Sequence, residues 1–339
     1  MFPRSVRVSR VAGTAPTVYP APMIERIAAQ FRRFAEKEAR GHSALYEALA
    51  LGVAGDGDLL ALLAGLPPDK QQPNLLFAAV RLVCGTPADF PSFRASLLGR
   101  AADVVAAILA HRTQTNEPGR CAVLLPVLAR LHQPLALIEV GASAGLCLIP
   151  EQYAYDYNGT RLGAAMAPVF PCLANDPTPI PQALPRITWR AGLDLEPVSP
   201  RDPDQMAWLE ALIWPDQPER LARFRAAADL VRRTSVRVRR GDLTTDLGTL
   251  IDEVPNGPTI VVFHSATLAY VPDPAARAAF ATLLWERSAV WISNEAPFVF
   301  PDIAARAPRP GPAGAFLLAV NGRPVAWTDP HGAWIDWLG

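Results

Sequence analysis

Residues 135–148 read Leu-Ala-Leu-Ile-Glu-Val-Gly-Ala-Ser-Ala-Gly-Leu-Cys-Leu, and this stretch decides the expected fold. Its first four residues are apolar, which is typical of a parallel strand buried on both faces. Glu139 lies at the end of that strand, and Gly141 and Gly145 permit a tight turn into an apolar stretch of helical character. Main-chain N–H groups at the start of the next helix would then face a ligand. The stretch therefore predicts a strand, a turn and a helix that form a binding site.

The same residues match the sequence motifs of two different enzyme classes. As Glu-x-Gly-x-x-x-Gly, residues 139–145 resemble the first motif of Rossmann-like S-adenosylmethionine-dependent methyltransferases, whose loop holds the amino-acid end of the cofactor. As Gly-x-Ser-x-Gly, residues 141–145 match the nucleophile elbow of an α/β-hydrolase, with Ser143 as nucleophile. A dinucleotide loop is excluded because Ser143 and Ala144 stand where glycine is required. A tight turn without a ligand is the remaining interpretation.

Composition excludes several classes of protein. Half of the 339 residues are apolar and 19% are charged, which argues against disorder. The 32 basic and 32 acidic residues balance, so no bulk charge attracts nucleic acid. The four cysteines are widely spaced without a Cys-x-x-Cys pair, which favours free thiols over disulfides or a metal site. With neither a secretion signal nor about 18 consecutive apolar residues, we expect a cytoplasmic protein that acts on a small molecule and not on nucleic acid or membrane.

The chain divides by its hydrophobic period. Residues 1–21 form an N-terminal arm, and residues 22–133 repeat apolar side chains every three or four positions, which predicts a helical domain. Residues 134–339 alternate strand and helix patterns, and residues 164–185 form a proline-rich loop. The predicted strands are 135–140, 187–190, 235–239, 259–263 and 289–293, and the predicted helices are 205–214, 218–231 and 274–287. Asn321-Gly322 predicts a terminal hairpin of 316–320 with 323–327, with a further strand in 333–338.

We therefore expect an α/β fold: a Rossmann-like, methyltransferase-type, mostly parallel sheet with a C-terminal antiparallel hairpin, preceded by an all-α N-terminal domain. The terminal hairpin favours the methyltransferase over the hydrolase. An α/β-hydrolase also needs an oxyanion loop before its nucleophile, and the segment before Ser143 has a helical pattern instead. The hydrolase stays an alternative because His331, with Asp242 or Asp273, would complete a triad in the required order.

Ligands of such sheets bind at the carboxyl ends of the strands. In the methyltransferase interpretation Asp194, after the second strand, accepts from the ribose hydroxyls, with Asp156 as the other candidate, and Asp242 meets the adenine amine. Asp242 is equally suited to cap a helix. The predicted cofactor-binding residues are Glu139, Gly141, Ala142, Ser143, Gly145, Asp194 and Asp242.

The later strand ends supply candidate catalytic residues. His264 follows the fourth strand and is a candidate general base, although a lone histidine is as often a hydrogen-bonded wall residue. Asn294 and Glu295 place an amide and a carboxylate on the same rim, and Tyr270 is expected to contact substrate. The Asp- or Asn-Pro-Pro-aromatic sequence of methyltransferases that act on base amines is missing after this strand, so we do not expect a base amine as acceptor.

Six clusters extend the resemblance across the chain: residues 111–120 (His-Arg-Thr-Gln-Thr-Asn-Glu-x-x-Arg), 139–146, 214–220 (Trp-Pro-Asp-Gln-x-x-Arg), 240–243, 262–265 and 293–295. Together they resemble the uncharacterised bacterial domain-of-unknown-function family numbered 2332, from roughly residue 25 to the C-terminus. The resemblance implies a methyltransferase-like fold and no established activity. It directs attention to Gln114, Asn116 and Arg120, which we expect to line a substrate pocket at the sheet's carboxyl rim, where arginine favours an anionic acceptor.

The sequence thus predicts S-adenosylmethionine-dependent methyl transfer to a small-molecule acceptor, with a carboxylate-bearing molecule as the candidate class. The first alternative is an esterase built on Ser143. The second is a non-catalytic protein of degenerate methyltransferase fold that binds a nucleoside or a partner. The sequence gives no sign of the oligomeric state.

Overall fold

The structure is a computed structural model that describes residues 19–339, and the described chain forms two compact units. The first unit holds the described residues up to Thr115 together with Pro203–Leu221. The second holds Asn116–Asp202 and Ala222–Gly339. This division places residues 116–133 with the sheet, whereas the sequence analysis assigned them to the helical domain. Most of the predicted N-terminal arm lies outside the described residues.

The helices and strands follow the chain in this order. The helices are α1 (Ala21–Phe34), α2 (Ala44–Gly55), α3 (Gly57–Ala64), α4 (Pro73–Cys84), α5 (Phe90–Gly99), α6 (Ala101–Ala110), α7 (Arg120–Leu128), α8 (Pro203–Leu212), α9 (Pro218–Arg233), α10 (Leu247–Asp252), α11 (Pro274–Glu286) and α12 (Pro301–Ala304). The strands are β1 (Leu135–Val140), β2 (Ala154–Tyr157), β3 (Thr160–Leu162), β4 (Val169–Ala174), β5 (Ile187–Asp194), β6 (Val238–Arg240), β7 (Thr259–Ser265), β8 (Val290–Glu295), β9 (Phe316–Val320), β10 (Arg323–Thr328) and β11 (Trp334–Trp337).

An aromatic cluster holds the first unit together. Phe77 of α4 lies at its centre, with its ring centroid 4.8 Å from that of Tyr46 and 5.9 Å from that of Phe34. Trp214, which follows α8, packs its ring against Phe34 and Tyr46 and donates from Nε1 to Oδ1 of Asn74 at 3.0 Å. These contacts explain why a helical segment that interrupts the strand pattern belongs to the helical unit.

The second unit is built on an eleven-stranded sheet with the order β3-β2-β4-β11-β10-β9-β8-β7-β1-β5-β6. The neighbours β8, β7, β1, β5 and β6 are all parallel, and every residue of β1 is buried. Asn321-Gly322 joins the antiparallel hairpin of β9 and β10, with φ of +48° and +71° at the two turn residues. The unit is therefore a mixed α/β structure with a large, mostly parallel sheet, as the sequence predicts at this level.

The predicted helix after the Gly141–Gly145 turn is wrong. Two short 3-10 turns, Leu146–Leu148 and Pro150–Gln152, stand in its place and lead into β2. Pro150 lacks an N–H and would fall inside the first helical turns, where its ring blocks helix continuation. The hydroxyl groups of Tyr153 and Tyr155 donate to the carbonyls of Leu146 and Pro150, both at 2.6 Å, and fix the turns.

The predicted loop of residues 164–185 also needs correction, because it contains β4. Pro171 lies within this strand and suggested a loop from sequence. The strand tolerates it because pairing with β11 begins only at Leu173. Among residues 19–339, no helix combines the length and apolarity needed to cross a membrane.

Candidate functional site

The turn after β1 depends on two glycines. Gly141 has φ of +75° and Gly145 has φ of +71°, in the left-handed region. A Cβ on Gly141 would overlap the side chain of Thr267, and a Cβ on Gly145 would lie 2.8 Å from Cγ1 of Val236. Both positions therefore require glycine for conformation and for space.

Three main-chain N–H groups of this turn donate to main-chain carbonyl groups of the second unit. Gly141 and Ala142 donate to the carbonyl of Leu193 at 2.8 and 3.4 Å, and Gly145 donates to the carbonyl of Ala142 at 2.7 Å. These three N–H groups are therefore already hydrogen-bonded within the protein and do not face a ligand. The expected cradle of free N–H groups at a helix start is therefore not formed here, since neither the helix nor these donors are available.

Two side chains take the remaining N–H groups of the turn. Oδ2 of Asp194 accepts from the N–H of Ser143 at 2.8 Å, and Oδ1 of Asn116 accepts from the N–H of Ala144 at 3.1 Å. The Asn116 amide also donates to Oγ of Ser143 at 2.9 Å. An esterase would need the Ala144 N–H as an oxyanion donor and the Ser143 hydroxyl as nucleophile, and Asn116 engages both.

Glu139 is the buried acid at the end of β1. Its side chain is 8% exposed, and its Oε2 has no hydrogen-bond partner among the described residues. Burial raises the pKa of Glu139 well above its ordinary value, Cys147 and Asp194 raise it further, and Arg120 opposes them. Burial thus shifts the group toward its protonated form relative to an exposed glutamate, and in that form it can both donate and accept a hydrogen bond.

Arg120, the first residue of α7, is 6% exposed and bonds to main-chain carbonyls. Its Nε donates to the carbonyl of Pro330 at 2.8 Å and one terminal nitrogen donates to that of Ser265 at 3.0 Å. Gly119 and Gly332 touch beside it, because a Cβ on Gly332 would overlap the carbonyl of Gly119. Arg120 thus fastens α7 to the end of β7 and to the β10–β11 loop, and this geometry does not support its expected use for an anionic acceptor.

His264 lies inside the second unit with 0% exposure. Its Nδ1 is 2.7 Å from Oε1 of Glu295, and its Nε2 is 2.9 Å from the indole nitrogen of Trp291. An indole N–H only donates, so Nε2 is the acceptor and Nδ1 carries the proton donated to Glu295. Both ring nitrogens are occupied, and a role as general base would require one of these hydrogen bonds to break.

Glu295 organises the turn that follows β7. Its Oε1 accepts from the N–H groups of Thr267 and Leu268 at 2.8 and 3.0 Å, as well as from His264. Burial alone would raise the pKa of Glu295, but the hydrogen bonds from His264, Thr267 and Leu268 together lower it below its ordinary value. The residue is therefore an ionised structural carboxylate at neutral pH.

Asn294 is also fully buried. Its amide donates to Oγ of Ser265 at 3.0 Å and accepts from Oγ1 of Thr328 at 2.7 Å. The three expected catalytic residues, His264, Glu295 and Asn294, belong to a buried hydrogen-bond network and not to an exposed surface. Within the described residues, Oε2 of Glu295 is the atom of these three side chains that has no hydrogen-bond partner.

The aspartates at the strand ends differ in accessibility. Asp194 is half-buried and also accepts from the N–H of Glu196 at 2.8 Å. Asp242 is exposed, and its Oδ1 accepts from the N–H and hydroxyl of Thr244 at 2.7 and 2.6 Å, as in an Asx turn. It does not cap a helix, because α10 begins only at Leu247. Asp156 accepts from Gly159 within the β2–β3 hairpin, on the far side of the sheet from β1.

The expected substrate-binding set is divided between the units. Gln114 belongs to the first unit, whereas Asn116, Arg120 and Tyr270 belong to the second. Tyr270 is 78% exposed in the turn after β7. Among residues 19–339 no group of three or more histidine, cysteine, aspartate or glutamate side chains is arranged to hold a metal ion.

Sequence reasoning missed two residues of this network. Trp291 decides the tautomer of His264, and Glu117, 5% exposed, accepts from the N–H of Gly119 at 2.9 Å. Glu117 lies inside the 111–120 cluster, so the cluster itself was the available signal. For Trp291 the sequence gave no such signal, because an apolar residue in a strand is expected to be a packing residue of the hydrophobic core.

The comparisons with known proteins agree with the sequence clusters. A family model described as an uncharacterized protein conserved in bacteria (DUF2332) matches residues 28–337. The chain belongs to this family. No curated protein and no solved structure matches the chain. The DUF2332 membership expected from the six clusters is thereby confirmed, and the function of the chain rests on its own geometry.

Proposed function

We propose that the second unit binds S-adenosylmethionine at the carboxyl ends of β1, β5 and β6 and directs its methyl group to a small-molecule acceptor. One observation carries the proposal: Glu139, Asp194 and Asp242 lie at or directly after the ends of three neighbouring parallel strands. A row of carboxyl groups suits a ligand that presents hydroxyl and amino donors and carries positive charge.

The strand order supports this location. Numbered by their own order in the chain, the five parallel strands β6-β5-β1-β7-β8 run 3-2-1-4-5, which is the order of a doubly wound sheet. Such sheets bind ligands where the order reverses, here between the carboxyl ends of β1 and β7. Gly141 and Thr267 meet at that position.

The residues present fit this cofactor better than they fit a nucleotide phosphate. The N–H groups of residues 141–145 are used within the fold, so no anion cradle is offered. Oδ2 of Asp194 accepts from the N–H of Ser143 and Oδ1 accepts from that of Glu196. Because a carboxylate oxygen can accept two hydrogen bonds, both oxygens can also accept from ribose hydroxyls. In its protonated form, which burial favours, Glu139 can donate to or accept from the amino-acid end.

The cofactor supplies an activated methyl group on a positively charged sulfur. Held by Glu139, Asp194 and Asp242, it would give that methyl group to an acceptor heteroatom: the carbon–sulfur bond would break with its electron pair left on sulfur, and the acceptor's proton would pass to water. The chain contributes alignment, because Asn116 and Asp194 hold the turn beside the carboxyl edge. His264 and Glu295 contribute by fixing the Thr267 turn rather than by taking the proton.

Calorimetric titration with S-adenosylmethionine and S-adenosylhomocysteine tests the proposal. We expect binding at about 10 μM or tighter, which is ~7 kcal/mol, and at least about tenfold weaker binding in Glu139→Gln and Asp242→Asn. Glu286→Gln, an exposed acid at the end of α11, serves as the matched control and keeps wild-type affinity. No heat at millimolar ligand would reject the methyltransferase. Binding without methyl transfer to any acceptor tested would favour the non-catalytic alternative.

The esterase stays the competing hypothesis because Ser143 has φ of +46°, a conformation that nucleophile elbows also strain. Its test is labelling by a fluorophosphonate probe. We expect no labelling of wild type, since Asn116 engages the hydroxyl and the neighbouring N–H. Labelling that disappears in Ser143→Ala would establish the esterase instead.

A further inference from the structure

A groove of about 530 Å³ opens at the amino end of β8, whereas Glu295 ends that strand at the carboxyl edge. It is formed by the last turns of α11, the turn after α11, the first residues of β8 and Asn321 of the terminal hairpin. A volume of this size is usual for a small-molecule site. The groove is therefore separate from the carboxyl edge, where the cofactor is proposed to bind.

One face of α11 forms a wall of this groove. Ala281, Leu284 and Trp285 follow the spacing i, i+3 and i+4, which puts them on the same side of the helix. Leu284 packs into the core of the second unit, whereas the indole of Trp285 is 82% exposed. A single exposed indole is ordinary, but this one borders a concave apolar surface, which is the arrangement of a ligand site.

A second wall of the groove is the ring of Trp291, and this ring is held rigidly. Its indole N–H donates to Nε2 of His264 at 2.9 Å. The ring packs at steep angles against Phe280 and Phe300, with centroid separations of 6.1 and 5.4 Å. Since this wall is already fixed, a ligand loses little free energy in ordering it.

Ser288 lines the groove in a strained conformation. Its φ is +52°, in the left-handed region. The N–H of Ser288 donates to the carbonyl of Trp285, and the N–H of Ala289 to that of Leu284, both at 3.0 Å. This is a Schellman motif, which favours glycine at the position of Ser288 and uses only main-chain atoms. The chain thus keeps a hydroxyl group at the groove where glycine would be unstrained.

Asn321 supplies the other polar group of the groove. Its Oδ1 accepts from the N–H of Trp291, and its own N–H donates to the carbonyl of Trp291, both at 2.8 Å. Among the described residues these are its hydrogen bonds, and its side-chain –NH₂ group remains as a donor on an exposed residue. Together with the Ser288 hydroxyl, it suits a ligand that carries a hydrogen-bond acceptor.

The charges around the groove favour a neutral ligand. Among the described residues, those that line the groove carry no ionisable side chain. Next to it, Arg287 is paired with Asp252, and the exposed Glu286, Arg306 and Arg323 keep charges of both signs in water. A charged group inside the groove would lose hydration against apolar walls without gaining an ionic partner there.

We infer that this groove binds a neutral, planar aromatic small molecule. Its ring lies against Trp285 and Trp291, and its hydrogen-bond acceptor faces Ser288 and Asn321. The ring contacts supply most of the binding, and the two polar groups orient the ligand. This site goes beyond the proposed methyltransferase function and does not depend on it.

The test titrates the full chain with coumarin, a neutral planar lactone, and follows the nitrogen-15 indole signals of the tryptophans, assigned by single Trp→Phe variants. We expect the signals of Trp285 and Trp291 to shift saturably. The signal of Trp189 in β5, three strands away from β8, should not shift. Coumarin-3-carboxylate, the anionic counterpart, and cyclohexanone, a non-aromatic carbonyl compound, should each bind at least about tenfold more weakly than coumarin.

Two variants separate binding from folding. Trp285→Ala should bind coumarin at least about tenfold more weakly and unfold in urea like wild type, because the ring is exposed. Ser288→Gly should bind about threefold more weakly, yet unfold at higher urea, since glycine adopts the left-handed conformation without strain. Phe298→Ala, which removes an exposed ring after the carboxyl end of β8, is the matched control and keeps wild-type affinity.

Equal coumarin affinity in wild type and Trp285→Ala, an equal loss in Phe298→Ala, or tighter binding of coumarin-3-carboxylate would each overturn the inference. Unchanged affinity in Ser288→Gly would overturn the hydrogen bond assigned to that hydroxyl. A second copy of the chain is the competing occupant. A dimer in sedimentation velocity that Trp285→Ala dissociates would assign the groove to self-association and would also overturn the inference.

Discussion

The indole N–H of Trp291 donates to Nε2 of His264 at 2.9 Å, and this contact fixes where the histidine proton resides. Nδ1 must carry it, at 2.7 Å from Oε1 of Glu295. The carboxylate in turn holds the turn that packs on Gly141. A chain of hydrogen bonds thus runs from the core strand β8 to the carboxyl edge of β1, and each member is needed to keep the next in place.

The Trp291→Phe substitution should therefore destabilise the protein by more than the loss of packing contacts alone. The change leaves Nε2 of His264 buried without a donor, which costs about 1–3 kcal/mol of stability. Urea unfolding measures the loss. Trp327→Phe is the control, since Trp327 Nε1 donates only to the carbonyl of Arg309, so the change tests an indole bond outside this chain of contacts. Nitrogen-15 spectra should show an unprotonated Nε2 for His264 in wild type, and a protonated Nε2 would contradict the assignment.

Glu295 predicts an acid sensitivity with a definite sign. Its pKa is lowered from the ordinary value of 4.5, because the hydrogen bonds it accepts outweigh its burial. The stability that it contributes is therefore fully present above pH 4.5 and is lost as the pH falls through the lowered value. Unfolding followed between pH 7 and pH 3 should show a steeper acid loss in wild type than in Glu295→Gln. Parallel curves for the two proteins would disprove the assignment, and Glu286→Gln should match wild type throughout.

Elements that depend on a short stretch of sequence could be predicted from that stretch alone. The apolar run of β1 and the Asn321-Gly322 turn of the terminal hairpin are short-range signals, and both elements formed where the sequence placed them. Two further local signals were present and missed: Pro150, which forbids a helix after the glycine turn, and Asn158-Gly159, which joins β2 to β3 with φ of +52° and +90°.

The hydrogen-bond network of the site was not predictable in the same way. Asn116 and Ser143 are separated by 27 positions, and His264 and Glu295 by 31, so their contacts depend on how strands align. The sequence placed His264 near the end of β7, and Asn294 and Glu295 at the end of β8, where the structure has them. It did not reveal that their polar atoms bond to each other, because that depends on side-chain direction in the folded sheet.

Tyr157→Phe tests how α7 is attached to the sheet in place of the missing helix. The buried hydroxyl of Tyr157 donates to the carbonyl of Ala122 in α7 at 2.6 Å. Removing it leaves that carbonyl without this donor, and we expect a loss of about 1 kcal/mol in urea unfolding. Tyr270→Phe, which removes an exposed hydroxyl, should stay within about 0.5 kcal/mol of wild type. Equal stability of the two variants would show that the Tyr157 contact contributes nothing measurable.

Glu139→Gln should separate binding from stability. Burial raises the pKa of Glu139, so the folded protein retains a proton that the unfolded chain releases above its ordinary value of 4.5. Wild-type stability therefore falls as the pH rises from there, by about 1.4 kcal/mol for each unit of pH until the raised value is passed. Glutamine mimics the neutral acid and removes this loss, so the stability of the variant relative to wild type should rise as the pH rises above 4.5 in urea unfolding. An acid kept at such a cost is expected at a binding site, and loss of S-adenosylmethionine affinity together with gained stability would identify it as one. A Glu139→Gln protein that is less stable than wild type at pH 8 would instead make Glu139 a structural residue of the β1 turn.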